Sequence, residues 1–289
     1  MELKKGDKIG IVALAGVCDK DAMSFAGDYF KSLGYEIEFS KNINDEYAYF
    51  AGNDKDKVNE LHRFFEDSSI KLIMNARGGY GSIRLLDKID YNLIKKNPKP
   101  FVGYSDITAI LLMIYKKTGL ITYHGPMFCP DFAGDAFRDA NMDFLQNSLR
   151  DKSITLNGNK IYKAGKAEGI IWGGNLTTLA TLCGQDFIPE EDFILFAEDL
   201  NEPVYKIDRM LQQLLNIKQF RDKCKGIVFG EFLNTDNEAW LEKYFTNLVK
   251  RYPIPMSGGF NITHSGVKVT IPVGQKAVLT DCNLVIHSS

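Results

Sequence analysis

The sequence predicts an α/β protein with a doubly wound parallel sheet in its first half and a smaller mixed α/β domain in its second. Two observations carry this. Short strand-like runs at Lys8 to Ala15, Tyr35 to Phe39, Ile70 to Ala76 and Phe101 to Tyr104, the first of them apolar almost throughout, alternate with helical stripes, the pattern of βαβ units and a parallel sheet. A polar stretch rich in Gly, Asn and Lys, 151–166, then interrupts the alternation and reads as a linker between residues 1–150 and residues 167–289.

The elements follow in order. Asp19 or Lys20 opens a helix to about Leu33, closed by Gly34 at a position suited to a left-handed cap. Asp54 to Phe65 is a second helix, with Val58, Leu61, Phe64 and Phe65 on one side. The strand Ile70 to Ala76 stops at Arg77-Gly78-Gly79-Tyr80-Gly81, and a short helix from about Ser82 to Leu86 precedes the strand ending at Tyr104. Ile107, Ile110, Leu111 and Ile114 form the stripe of the next helix. Gly119 to Tyr123 then leads into His124-Gly125-Pro126-Met127, and Ala136 to Leu149 is helical. In the second half, strands at Glu168 to Trp172, Phe193 to Ala197 and Gly226 to Gly230 are interleaved with helices at Leu176 to Leu182, Val204 to Asn216 and Glu238 to Arg251. The tail from Ile254 to Val285 reads as short strands with turns at Gly258-Gly259, Gly266 and Gly274.

Composition excludes several classes of function. Of 289 residues 45% are apolar and 25% charged, and the net charge of −2 comes without a basic block, which argues against a nucleic-acid surface. The five cysteines (Cys18, Cys129, Cys183, Cys224 and Cys282) are scattered with no C-x-x-C pair, as expected of reduced thiols in a cytoplasmic protein. No apolar run has the length of a signal peptide or a membrane span. Neither these cysteines nor the four histidines cluster at metal-ligand spacing, so no metal is expected. The Gly-rich loop 77–81 matches neither the dinucleotide fingerprint nor the P-loop, so no cofactor is expected and a nucleotide-binding domain is disfavoured.

The chemistry converges on strand ends, where ligands lie in doubly wound sheets. Ser105 stands between an apolar strand and a helix, so its hydroxyl is held near the unpaired N–H groups of a helical first turn. That setting suits a nucleophile, because backbone donors meet the charge that develops on attack. The same position also suits an ordinary N-cap, by Ser105 or Asp106. The G-x-S-x-G elbow is incomplete, with Ile107 in place of the last glycine. The Gly-rich loop either gives an N–H to this site or is a tight turn. Glu198 ends an apolar strand, and His264 lies in a loop between Gly259 and Gly266. A serine, an acid and a histidine form a nucleophile–base–orienter relay, with His264 and His124 the candidate bases. His62 lies within a helix and His287 in the C-terminal end.

Taken together, the series Arg77-Gly-Gly-Tyr-Gly81, Gly103-Tyr-Ser-Asp-Ile-Thr108, His124-Gly-Pro-Met127, Gly173-Gly-Asn-Leu176, Glu198-Asp-Leu-Asn-Glu-Pro203 with Tyr205-Lys-Ile-Asp-Arg209, and the His264 loop before Ile271-Pro-Val-Gly274 resembles the LD-carboxypeptidase family, serine peptidases that include the microcin C self-immunity proteins. The resemblance spans essentially the whole chain in order. It implies a Rossmann-like N-terminal domain, a C-terminal domain with barrel-like strands, and a homodimer. It also implies a triad on Ser105, Glu198 and His264, with oxyanion donors at the backbone N–H groups of Asp106 and Gly79. His264 sits in Thr-His-Ser rather than the usual G-H-T, a departure from the family pattern. The implied reaction is release of a terminal D-amino acid from a murein tetrapeptide. The implied alternative is amide cleavage of aminoacyl- or peptidyl-sulfamoyl adenylates, and a non-catalytic peptide- or sugar-binding protein on the same frame stands behind both. Tyr104, Trp172 and Asn175 are expected as pocket walls, and Arg209, beside Asp208 on a helix, as structural.

Overall fold

The computed structural model describes residues 2–288. The chain divides into two units, one running to Asp151 and including Val267–Pro272, the other formed by Lys152–Gly266 and the chain from Val273 on.

The first unit begins β1 (Lys8–Val12), α1 (Lys20–Ser32), β2 (Glu36–Phe39), α2 (Asp54–Glu66) and β3 (Ile70–Asn75). After β3 comes a single 3-10 turn, Ser82–Leu85, and then α3 (Tyr91–Lys96) and β4 (Phe101–Gly103). A second 3-10 turn, Ser105–Ile107, leads into α4 (Thr108–Thr118), followed by β5 (Thr122–His124), α5 (Phe128–Phe132) and α6 (Arg138–Leu149). The helices start where side chains cap them: the Asp19 carboxylate accepts the Ala22 N–H and the Asn53 carbonyl oxygen accepts the Asp56 N–H. Gly119 closes α4 in the left-handed conformation, φ 74°. Phe30 anchors the core on one side of the sheet, with ring centroids 4.9 Å from Phe132 and 5.3 Å from Phe128.

The second unit runs through β6 (Ile154–Asn157), β7 (Lys160–Lys163), β8 (Lys166–Asn175), α7 (Leu176–Thr181), β9 (Phe193–Leu200), α8 (Val204–Asn216), α9 (Lys218–Lys223), β10 (Cys224–Leu233), α10 (Glu238–Arg251) and β11 (Met256–Gly258). The chain then gives β12 (Ile271–Val273), which joins the first unit's sheet, before β13 (Lys276–Thr280) and β14 (Asn283–Ile286) complete the second. The stretch 151–166, expected as a linker, is mostly strand. β6 pairs antiparallel with β14 and β7 with β11, so its polar residues belong to the exposed edges of a sheet.

The six-stranded sheet has the order β12-β5-β4-β3-β1-β2, with β1 to β5 paired in parallel. The strand order reverses between β1 and β3, and in such sheets the crevice beyond the carboxyl ends at this point takes ligands. The eight-stranded sheet has the order β6-β14-β13-β8-β9-β10-β11-β7, parallel in its β8-β9-β10-β11 centre and antiparallel toward its edges. The expected α/β class with a parallel first sheet holds. Three short helices, α3, α5 and α9, were not anticipated, because five or six residues do not complete a second helical period.

In the second unit β8 lies so close to β9 that a side chain is excluded at Gly173. Its φ is 144°, and a Cβ there would fall 2.0 Å from the Phe196 carbonyl oxygen. Two residues on, Asn175 is in register with Glu198. Gly173→Ala is therefore expected to destabilise the chain by at least about 2 kcal/mol in a urea titration, as overpacking against a rigid backbone does. A cost below about 0.5 kcal/mol would contradict this packing.

Candidate active site

Ser105 is held in the left-handed region, φ 60°, separated from the end of β4 by Tyr104 alone. For a residue with a Cβ this backbone costs on the order of 1–2 kcal/mol. The strain is accommodated by missing side chains on two neighbours. A Cβ at Gly103 would lie 2.8 Å from Ile107 Cγ2, so the glycine gives Ile107 its seat. A Cβ at Gly78 would lie 3.0 Å from Ser105 Cβ and 3.2 Å from its Oγ, so the Gly-rich loop passes directly against the serine. This is a sharp strand-to-helix elbow in which Ile107 packs inward where the hydrolase pattern has glycine. The N-cap alternative does not hold for Asp106, whose carboxylate accepts the N–H of Ser82, at 2.8 Å, on another segment.

Strand order brings these parts together. β3 neighbours both β1 and β4, so the loops leaving the three strands meet at the reversal point. The Gly16 N–H donates to the Gly78 carbonyl at 3.1 Å, and Arg77 Nη1 donates to the Val17 carbonyl at 3.0 Å. Buried Asn75 accepts the Leu14 N–H at 3.3 Å and donates to the Arg77 carbonyl. Gly79 has φ 116°, a conformation that favours glycine.

The second unit contains the other half of the expected relay. Glu198, fully buried within β9 two residues before its end, accepts a 2.5 Å hydrogen bond from His264 Nδ1. Burial raises the pKa of the Glu198 carboxyl, and the bond from His264 pulls the other way. The His264 loop is fastened on both sides. The Thr263 hydroxyl donates to Glu231 at 2.6 Å and accepts the Ser265 N–H at 3.1 Å. The Glu231 N–H donates to the Ile262 carbonyl at 2.8 Å. Thr263, which marks the departure from the family pattern, therefore has a loop-holding role that its sequence position did not reveal.

Other candidates take structural places. Trp172, expected in a pocket wall, is fully buried, with ring centroids 5.1 Å from Phe193, 5.8 Å from Phe187 and 6.0 Å from Phe220, and belongs to the core. Asn175 caps α7 by accepting the Thr178 N–H at 3.0 Å and donates to Asp199 at 2.9 Å, which fixes the carboxyl end of β8 beside that of β9. Tyr104 is buried against His124, with ring centroids 6.0 Å apart and the Lys268 ammonium 5.3 Å over its ring. His62 accepts the Asp90 N–H at 2.9 Å and so holds the start of α3. Arg209 lies over the Tyr205 ring at 5.2 Å on α8. Among the described residues no group of His, Cys, Asp and Glu is placed to hold a metal ion, and no helix is long and apolar enough to cross a membrane.

A serine on a strained elbow and a buried carboxylate bonded to an imidazole are the parts of a serine-type hydrolase. Residues 9–125 match the LD-carboxypeptidase N-terminal domain and residues 168–279 match the LD-carboxypeptidase C-terminal domain. A Bacillus subtilis (strain 168) protein named "Probable murein peptide carboxypeptidase" is 33% identical over 96% of this chain and 90% of its own. The microcin C7 self-immunity protein MccF of Escherichia coli is 29% identical over 96% of this chain and 91% of its own. The crystal structure of an MccF-like protein from Bacillus anthracis str. Ames superposes with a TM-score of 0.92 at 28% identity, covering 100% of this chain and 99% of that one. The chain belongs to the LD-carboxypeptidase family and is a serine-type hydrolase.

The elbow makes a stability prediction that separates strain from chemistry. Ser105→Gly is expected to be more stable than Ser105→Ala by about 1 kcal/mol in urea unfolding, since only glycine relieves the positive φ. Both variants are expected to be inactive. Equal or reversed stability would mean that the elbow is not strained.

Proposed function

We propose that this enzyme is an LD-carboxypeptidase that releases the terminal D-alanine from murein tetrapeptides, with Ser105 as nucleophile, His264 as general base and Glu198 as the group that orients it. The observation that carries the reading is the Ser105 elbow, a strained serine lined by glycine backbone. The name and 33% identity of the Bacillus subtilis relative support the substrate class.

In this mechanism Ser105 Oγ attacks the carbonyl carbon of the amide between the L-configured centre and the terminal D-alanine. His264 Nδ1 is engaged by Glu198, so Nε2 takes the serine proton and later gives it to the departing amine. The Asp106 and Gly79 N–H groups stabilise the oxyanion. Water then hydrolyses the acyl-enzyme by the same relay in reverse. Glu198 stabilises the transient imidazolium, and a carboxylate on the far ring nitrogen serves equally well as Glu or Asp. Homodimeric assembly and a place in cytoplasmic peptidoglycan recycling belong to the same reading.

The relationship to MccF, solved in complex with glutamyl sulfamoyl guanosine and aspartyl sulfamoyl adenosine, favours a second substrate class on the same machinery, aminoacyl- or peptidyl-sulfamoyl adenylates. The test is mass-spectrometric. The wild type is expected to release D-alanine from a murein tetrapeptide, Ser105→Ala to lose at least about 10³-fold in kcat, and Glu198→Gln at least about 10²-fold. If the wild type releases no D-alanine but cleaves an aminoacyl-sulfamoyl adenosine, the second class replaces the first. If Ser105→Ala retains full activity, the nucleophile is wrong.

A further inference from the structure

The residue after the serine has a side chain that the proposed mechanism does not use. Asp106 is 8% exposed and Oδ2 accepts the Ser82 N–H at 2.8 Å. The Gly81 N–H also bonds this carboxylate. The Ser82 hydroxyl also donates to the Asp106 backbone carbonyl. Asp106 thus caps the 3-10 turn Ser82–Leu85, whose own preceding residue, Gly81, has no side chain to do so. Every one of these bonds runs the same way, with Gly81 and Ser82 donating and Asp106 accepting.

Beneath this joint lies Lys57 of α2, a lysine with no exposed surface. Its ammonium is 4.5 Å over the Phe50 ring, and it would lie 3.7 Å from a Cβ at Gly81. Nζ has no hydrogen-bond partner among the described residues. Burial lowers the pKa of this ammonium; Asp54 and Asp106 favour its charge and Arg84 opposes it. Phe50 also packs against Tyr80, with ring centroids 5.5 Å apart, and a Cβ at Gly81 would strike Phe50 at 2.8 Å. The loop from Arg77 to Gly81 is therefore fixed at its far end by a buried anion, a buried cation and an aromatic floor.

We propose that Asp106 and Lys57 form a positioning clamp that holds the Gly-rich loop at a set distance from the Ser105 elbow, and so sets the spacing of the two oxyanion donors. The proposal rests on the nucleophile and oxyanion assignments above. Its physical reason is leverage. Asp106 offers its N–H to the oxyanion, while its carboxylate holds the loop that carries the other donor, Gly79. Any movement at the joint misaligns the pair, and a misplacement near 1 Å costs about 10²-fold in rate. A buried charge is tolerated where a compensating charge and backbone donors surround it, and the loop supplies the donors.

The test uses two reactions on the full chain, tetrapeptide cleavage and acylation by p-nitrophenyl acetate, which needs a serine and an oxyanion hole but no peptide recognition. Asp106→Ala is expected to lower kcat on the tetrapeptide and the acylation rate by about 30- to 100-fold, with KM for the tetrapeptide within about threefold. Asp106→Asn keeps an acceptor for Ser82 and is expected to recover to within about tenfold of the wild type. Lys57→Met is expected to fall by about tenfold in both reactions. If Asp106→Ala does not fold, Ser82→Ala, which deletes only the hydroxyl bond, carries the test with a several-fold loss in kcat at unchanged KM. Full acylation rates in Asp106→Ala, or in Ser82→Ala where that variant stands in, would overturn the clamp, as would a loss confined to KM or thermal stability. A wild type that is acylated but does not cleave the tetrapeptide would remove the substrate assignment and leave the clamp to be scored on acylation. A wild type not acylated at Ser105 would remove the nucleophile and the clamp together.

Discussion

A positive φ at Ser105 is the constraint on which the first unit's arrangement depends. A residue with a side chain adopts that conformation only when its surroundings impose it. Here they do so in three ways. Ile107 packs into the space that Gly103 leaves, Gly78 brings bare backbone against the serine, and Asp106 bonds across to Ser82. Each contact needs a specific small or acidic residue. The glycines therefore serve close approach as much as turning, and the strained residue is the one whose hydroxyl carries the proposed chemistry.

In the second unit the corresponding commitment is electrostatic. A carboxylate with no exposed surface is costly, and the cost is offset only by groups that favour its charge. His264 supplies one such group at 2.5 Å, and Asn175 supplies another. Because β8 and β9 run in register through Gly173–Phe196 and Asn175–Glu198, the position of Glu198 is set by strand pairing rather than by a loop. His264 does lie in a loop, but Thr263 ties that loop to Glu231 at the carboxyl end of β10. Rigid strands and a fastened loop give the pre-organisation that the proposed role of His264 as general base requires.

Much of this was legible in the sequence where physics acts locally. The bounds of α8 and α10 agree with the helical stripes, since strong periodicity over 13 and 14 residues leaves little ambiguity. The apolar runs that stop at Tyr104 and Ala197 pointed to Ser105 and Glu198, although β4 ends at Gly103 and β9 continues through Glu198 to Leu200. What depends on distant segments was not legible. Periodicity did not distinguish the strands of 154–163 from a linker, because edge strands carry the same polar residues as loops. Trp172 looked like a pocket wall by residue type and proved to be core, because an indole buries itself wherever enough aromatic neighbours converge. Neither the approach of Gly78 to Ser105 nor the bond from Asp106 to Ser82 leaves a mark in spacing, since each joins segments more than twenty residues apart.

The central claim is that Ser105 is a nucleophile activated by the His264–Glu198 pair. The most direct measurement is reaction with a fluorophosphonate, followed by peptide mapping and by timing the modification in the wild type and in His264→Ala. The account predicts one adduct, on Ser105, formed at least about 10²-fold more slowly when the imidazole is removed. An adduct on another residue, or an unchanged rate in His264→Ala, would contradict it.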